Sequence, residues 1–165
     1  MKIEYDNDNQ VIYLIKKNGI KEILENDFPS EPVISPDGSK AAYISPLEWE
    51  CIGNLYMLDL NTGEKKTLLA PEDDLSVPKE VIWIDKENLA VILGFGMGTV
   101  AIGGNVFIYN IISNSLTEVT RHDSHIQIVN MNLNNDRLYL EGIKYIDEEY
   151  VEFEKFEEFI KLPIS

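Results

Sequence analysis

The 165-residue sequence is poor in positive charge, with 14 lysines and arginines against 29 aspartates and glutamates and a formal net charge of −15. Such a surface repels nucleic-acid phosphates and anionic lipid head groups, so no nucleic acid is expected among its partners; cationic partners or metal cations are better matched. The same acidity also serves solubility without any partner. Cysteine occurs once, at Cys51, which excludes an internal disulfide and makes a reducing compartment the simplest expectation. Long apolar runs are missing too. Asp6, Asn7, Asp8, Lys16 and Lys17 interrupt the N-terminal stretch, leaving neither a signal-peptide core nor a membrane span. No membrane insertion is expected. The expected location is the cytoplasm if the chain is complete, or outside it if an N-terminal signal or anchor has been removed.

What is present is an ordinary globular balance for one domain, 44% hydrophobic and 26% charged. Its most regular stretch runs from Glu31 to Leu69 and reads as four short strands, a to d. Glu31 to Ser35 is an apolar run, closed by Pro36-Asp37-Gly38, where proline presets φ, aspartate bonds nearby backbone and glycine accepts positive φ. Lys40 to Ser45 is the second strand, and Asn54 to Leu60 the third, with alternating side chains. Asn61-Thr62-Gly63 turns the chain into Glu64 to Leu69.

This unit resembles the TolB-type, WD-repeat-like propeller repeat in Ser35 to Gly38, Lys40 to Tyr43 and Asn54 to Asp59. The chain also resembles small Gram-positive bacterial domains to which no activity is assigned. The resemblance implies bladed β-sheets and supplies no activity, because such repeats occur in scaffolds, binding proteins and non-catalytic domains of peptidases.

The rest of the chain varies the same unit. Val11 to Lys17 aligns with strand c, and Gly19 with Gly63, at one offset of 44 residues. Ile20 to Glu25 is then a strand d, and Lys2 to Asp6 pairs across the Asp6 to Gln10 turn. A third unit places strands at Val81 to Ile84, Leu89 to Leu93, Asn105 to Ile111 and Leu116 to Thr120, with Gly104-Asn105 echoing Gly53-Asn54. The last unit opens with Ile126 to Leu133 and Arg137 to Ile146. Glu148 to Leu162 supports two readings: Tyr150, Phe153, Phe156 and Ile160 recur at helical spacing, whereas Val151 with Phe153 and Ile160 with Leu162 suit a bulged strand. A strand is expected, because each earlier unit supplies one there. The expected fold is all-β, a small or partial propeller of four antiparallel sheets with 3+4+4+3 strands, in one domain with units near 1–27, 31–69, 79–120 and 125–162. Such units must stack to bury their apolar faces. A closed ring, an open stack, and an incomplete ring finished by a homodimer all satisfy that.

Strand order also locates function. In an a-b-c-d sheet the a-b and c-d turns lie at one end and the b-c loops and d-to-a connectors at the other. The first set is uniformly short; the second contains Pro46 to Gly53, Pro71 to Pro78, Gly94 to Gly104 and Arg121 to Ser124. Long loops on a rigid scaffold are where binding sites are built. The leading expectation is a non-enzymatic module that binds a protein or peptide at this end. Trp49, Leu47, Phe95 and Met97 are its candidate apolar contacts, and Asp73 and Asp74 part of its acidic surround. Core packing is the alternative for Trp49, while Trp83, in a strand a, is expected in the core.

No cofactor is expected. Gly94, Gly96 and Gly98 lie between strands, without the helix N-terminus that a phosphate cradle uses. Ser45 and Ser124 lack the glycines of a nucleophile elbow, and Cys51 is more simply structural than paired with a histidine. The alternative function is a small metal-dependent hydrolase built on His122, Asp123 and His125, although no cysteine ligand or HExxH helix accompanies them. Asp6 and Asp8 resemble the opening of a calcium loop but lack its glycine and distal glutamate.

Overall fold

Most of the short turns share one device, an aspartate or asparagine side chain that accepts backbone N–H groups two or three residues further on. Asp6 receives Asp8 and Asn9, Asp59 receives Asn61 and Thr62, Asp85 receives Glu87 and Asn88, and Asn110 receives Ile112 and Ser113, at 2.7–3.1 Å. Asp6 is therefore occupied in closing its own hairpin. In the Ser-Pro-Asp-Gly turn, Asp37 accepts the Ser39 N–H at 3.0 Å and the Ser35 and Ser39 hydroxyls at 2.7 Å, and Gly38 adopts a φ of 73°. These bonds, the Ser39 N–H foremost, hold the Asp37 carboxyl below the usual carboxylate range.

Closed by such turns, the chain forms four antiparallel sheets in the structure, a computed structural model that describes residues 1–162. Sheet 1 is β1 (Lys2–Asp6), β2 (Val11–Ile15) and β3 (Lys21–Glu25), and sheet 2 is β4 (Val33–Ile34), β5 (Lys40–Ser45), β6 (Asn54–Asp59) and β7 (Lys65–Leu69). Sheet 3 is β8 (Val77–Trp83), β9 (Asn88–Gly94), β10 (Asn105–Asn110) and β11 (Ser115–Glu118), and sheet 4 is β12 (Ile126–Asn134), β13 (Arg137–Tyr145) and β14 (Phe153–Lys161). The 3+4+4+3 arrangement expected from the sequence is the one observed, and no helix occurs among the described residues.

One strand begins earlier than expected, and the two readings of the C-terminal segment are resolved. β8 starts at Val77 rather than Val81, because a bulge between Pro78 and Glu80 lets the strand run through a proline. The C-terminal segment is the expected strand, running from Phe153 to Lys161 without the expected bulge: all nine residues of β14 pair with β13 in unbroken register. Phe156 and Ile160 face the core while Phe153 and Phe159 are exposed, so apolar residues on both faces produce the helical spacing.

The core is arranged around β9. Leu89, Val91 and Leu93 pack with Ala42, Ile44, Leu55 and Met57 of sheet 2, while Ala90 and Ile92 pack with Ile128, Met131, Leu138 and Leu140 of sheet 4. A smaller core joins Leu14 of sheet 1 to Leu58 and Leu60 at the end of β6. Each fully buried aliphatic side chain contributes about 1.5–3 kcal/mol relative to exposure. Trp83 is 7% exposed and its indole N–H donates to the Val33 carbonyl at 2.9 Å, which ties β8 to β4. Three cores therefore join four sheets in series. Among the described residues no core and no extensive strand contact joins sheet 1 to sheet 4, so over these residues the four blades form an open series.

One buried group opposes folding at neutral pH. Glu80 lies on β8 beside the bulge, accepts a hydrogen bond from the Met131 backbone and, among the described residues, leaves Oε2 buried without a partner. Burial pushes its carboxyl up to about 7 from an ordinary value of 4.5. A raised pKa means the folded state holds the proton more tightly than the unfolded chain, so stability falls as pH rises through this interval. Urea unfolding of Glu80→Gln and the wild type should agree near pH 4 and diverge by pH 8, with the variant more stable by about 1–3 kcal/mol. Parallel pH profiles for the two proteins would contradict this.

Candidate functional site

The b-c loops and d-to-a connectors meet at one end of the array. Leu47 donates to the Phe28 carbonyl at 2.8 Å, Gly96 to the Asp74 carbonyl at 2.8 Å, and Gly98 to Glu50 Oε1 at 3.2 Å. The Tyr145 hydroxyl donates to the Val100 carbonyl at 3.1 Å, and the Ser124 and Tyr150 hydroxyls lie 2.6 Å apart. Loops from sheets 2, 3 and 4 are thus fastened to one another.

Glycine makes the fastening sterically feasible. Gly104 exchanges both backbone hydrogen bonds with Ile128, at 3.0 and 3.1 Å, and welds the end of the 94–104 loop to β12. A Cβ on Gly104 would lie 1.9 Å from the Leu93 carbonyl oxygen, and one on Gly103 would lie 2.1 Å from that of Ile128. Neither site admits a side chain. The Gln127 side chain completes the weld, accepting the Gly103 N–H at 3.2 Å and donating to the Ser124 carbonyl at 2.8 Å.

Between the 46–53 and 94–104 loops lies a cleft of about 380 Å³. Leu47, Trp49, Val77, Pro78 and Ile102 supply apolar walls, with Glu48, Glu50 and Lys79 around them. Trp49 is 66% exposed, so it belongs to the surface and not to the core. Lys79 donates to the Ala101 carbonyl at 3.2 Å, and burial pushes its ammonium pKa down. Phe95 lines a separate cleft with Leu75 and His122. Met97 is exposed between Gly96 and Gly98 at the edge of the first cleft. Asp73 accepts the Leu75 N–H at 2.9 Å and Asp74 anchors Gly96 through its carbonyl, so both shape the connector. Val77, Pro78 and Ile102 lie within the long segments that strand order assigns to this end, though not among the individually named contacts, and Lys79 lies one residue beyond them, on β8.

The histidines diverge. His122 Nε2 is 2.9 Å from Glu158 Oε2 and its ring meets the Phe156 edge, whereas the His125 ring stacks on Tyr150 at 4.6 Å between centroids. Asp123 accepts the His125 N–H at 2.9 Å, a bond that holds its carboxyl below the ordinary range. Among the described residues no three histidine, cysteine, aspartate or glutamate side chains gather as a metal site. Cys51 lines the first cleft and His122 another.

The two tryptophans report on this geometry separately. Acrylamide should quench the emission of Trp83→Phe, which retains the exposed Trp49, strongly, and that of Trp49→Phe weakly. Equal quenching of the two variants would contradict the exposure of Trp49.

No curated protein matches the sequence. A crystal structure from Clostridium novyi NT, of a protein designated a conserved lipoprotein, is 25% identical with a TM-score of 0.74, covering 81% of this chain and 87% of that one. TolB from Acinetobacter baumannii is 14% identical with a TM-score of 0.61, over 96% of this chain and 39% of TolB. The β-propeller domain of the Trilobed protease from Pyrococcus furiosus, which has an open velcro topology, is 16% identical with a TM-score of 0.57, over 97% of this chain and 52% of that one. This chain spans about half or less of those two larger proteins, and shares a propeller fold with them. Its residues 2–161 match a family described as a domain of unknown function, DUF4652, and the chain belongs to that family.

Proposed function

We propose that this propeller module binds a protein or peptide at its loop-rich end, through an apolar side chain seated between the 46–53 and 94–104 loops and basic residues beside it. The observation that carries the reading is Trp49, a large aromatic left 66% exposed on the rim of a cleft walled by Leu47, Val77, Pro78 and Ile102. Exposed aromatics beside apolar pockets supply much of the energy of recognition when a partner covers them. Glu48 and Glu50 line the cleft, Asp73 and Asp74 lie on the connector that holds Gly96 through the Asp74 carbonyl, and the net charge of −15 favours cationic segments. Phe95 and Met97 extend the apolar contact along the 94–104 loop. The role is one of binding rather than catalysis. A setting outside the cytoplasm is part of the proposal and rests on the likeness to a protein designated a conserved lipoprotein; protease treatment of intact cells should then degrade the protein.

Selection of a random peptide library on the wild type tests the binding face. Enriched peptides are expected to combine an aromatic or aliphatic residue with lysine or arginine, and to weaken with salt. Trp49→Ala should reduce their affinity by roughly 2 kcal/mol, about thirtyfold, with unchanged thermal stability. Peptides that bind wild type and variant equally would place recognition elsewhere.

A further inference from the structure

Among the described residues β14 ends the fourth sheet with an open edge. In that sheet it stands where β6 and β10 stand in theirs, but β6 and β10 each have a further strand alongside, β7 and β11. Along nine residues its register with β13 has no bulge, and long unbulged edges are ready templates for another strand. The backbone shows which groups are free. Ile146 donates to the Glu152 carbonyl at 3.0 Å and Leu162 donates to the Asp136 carbonyl at 3.2 Å. Even-numbered residues here therefore turn their backbone groups toward β13, and by alternation Phe153, Lys155, Glu157 and Phe159 turn theirs to the open edge.

We propose that a second copy of this chain adds its own β14 to this edge, antiparallel, about a two-fold axis through Phe156. The charge order of the strand argues for a like partner. Its outward face reads Phe153, Lys155, Glu157, Phe159, with the two phenylalanines 60% and 58% exposed and Phe159 packed on Tyr139. In the proposed register Phe153 meets the partner's Phe159 and Lys155 meets the partner's Glu157, and the two-fold axis repeats both pairs. Lys155 and Glu157 already form an ion pair within the strand, so two copies would build an alternating cluster of four charges. A two-fold axis perpendicular to the sheet keeps each side chain on its face, so the neighbouring registers slide by two residues. One sets Glu157 against the partner's Glu157 and the other sets Lys155 against the partner's Lys155; directly opposed like charges are destabilising. On the inner face Phe156 meets the partner's Phe156. Glu158 meets the partner's Glu154 on this face and is 2.9 Å from His122 Nε2.

Sedimentation equilibrium of the full chain across a dilution series tests the proposal in the wild type, Lys155→Glu, Glu157→Lys and the double exchange. The wild type should interconvert reversibly between one and two copies. Each single reversal should weaken the dimer by roughly tenfold or more, and the double exchange should restore it. These side chains are exposed, so thermal unfolding should change little. If a reversal does impair folding, the Phe153→Ser/Phe159→Ser variant gives a second route and should also lose the dimer. The proposal is overturned by a wild type that stays monomeric, by masses climbing beyond two copies, by single reversals that leave the dimer intact, or by a double exchange that does not regain it.

Discussion

The fold depends on β9 being apolar on both faces. Leu89, Val91 and Leu93 need cover on one side, Ala90 and Ile92 on the other, and no single two-layer arrangement supplies both. Sheet 3 must therefore sit between two others, and the Asx-closed turns keep each sheet narrow enough to stack. Sheet 2 repeats the problem more weakly, since Leu58 and Leu60 require sheet 1. The order of the sheets in space follows from which strand faces remain uncovered.

Stacking through side chains alone leaves the ends of the sheets free to splay. The backbone bridge between Gly104 and Ile128 adds a main-chain connection between sheets 3 and 4 at the loop-rich end. Glycine is needed there because two backbones approach more closely than any Cβ permits. The corresponding residue of the preceding unit, Gly53, obeys the same rule: a Cβ there would lie 2.3 Å from the Pro46 carbonyl oxygen. The 46–53 and 94–104 loops consequently start from fixed bases, and the cleft between them inherits its walls from the packing of the blades.

Most of this architecture was legible because alternation and turn chemistry agree in the central units. Asn54–Asp59 and Lys40–Ser45 have both a two-residue period and a mechanism for reversing the chain at their ends. Legibility fails where one of the two is missing. Val77 and Pro78 sit among polar connector residues, and a bulge carries the strand through proline. β14 buries one face only partly, so its phenylalanines satisfy two periods at once. At the site, strand parity placed the long loops together and brought out Trp49 and Leu47. Phe95 went to a neighbouring cleft, because adjacent residues of an extended loop point in different directions. Lys79 and Ile102 join the first cleft through tertiary packing between blades, which no local pattern encodes. The glycines of the 94–104 loop read as loop formers, yet Gly103 and Gly104 are there for close approach, a property of two distant segments.

Three cores in series have a further consequence for how such a protein can change over evolutionary time. In a ring, the angle between neighbours is fixed by the number of blades, so gaining or losing one forces every interface to readjust. An array with two ends has a length instead of a circumference. A blade duplicated or deleted at either end leaves the remaining interfaces as they were, in the manner of a solenoid. Blade number is then a variable that gene duplication can alter one unit at a time, while the loops on the older blades keep their spacing.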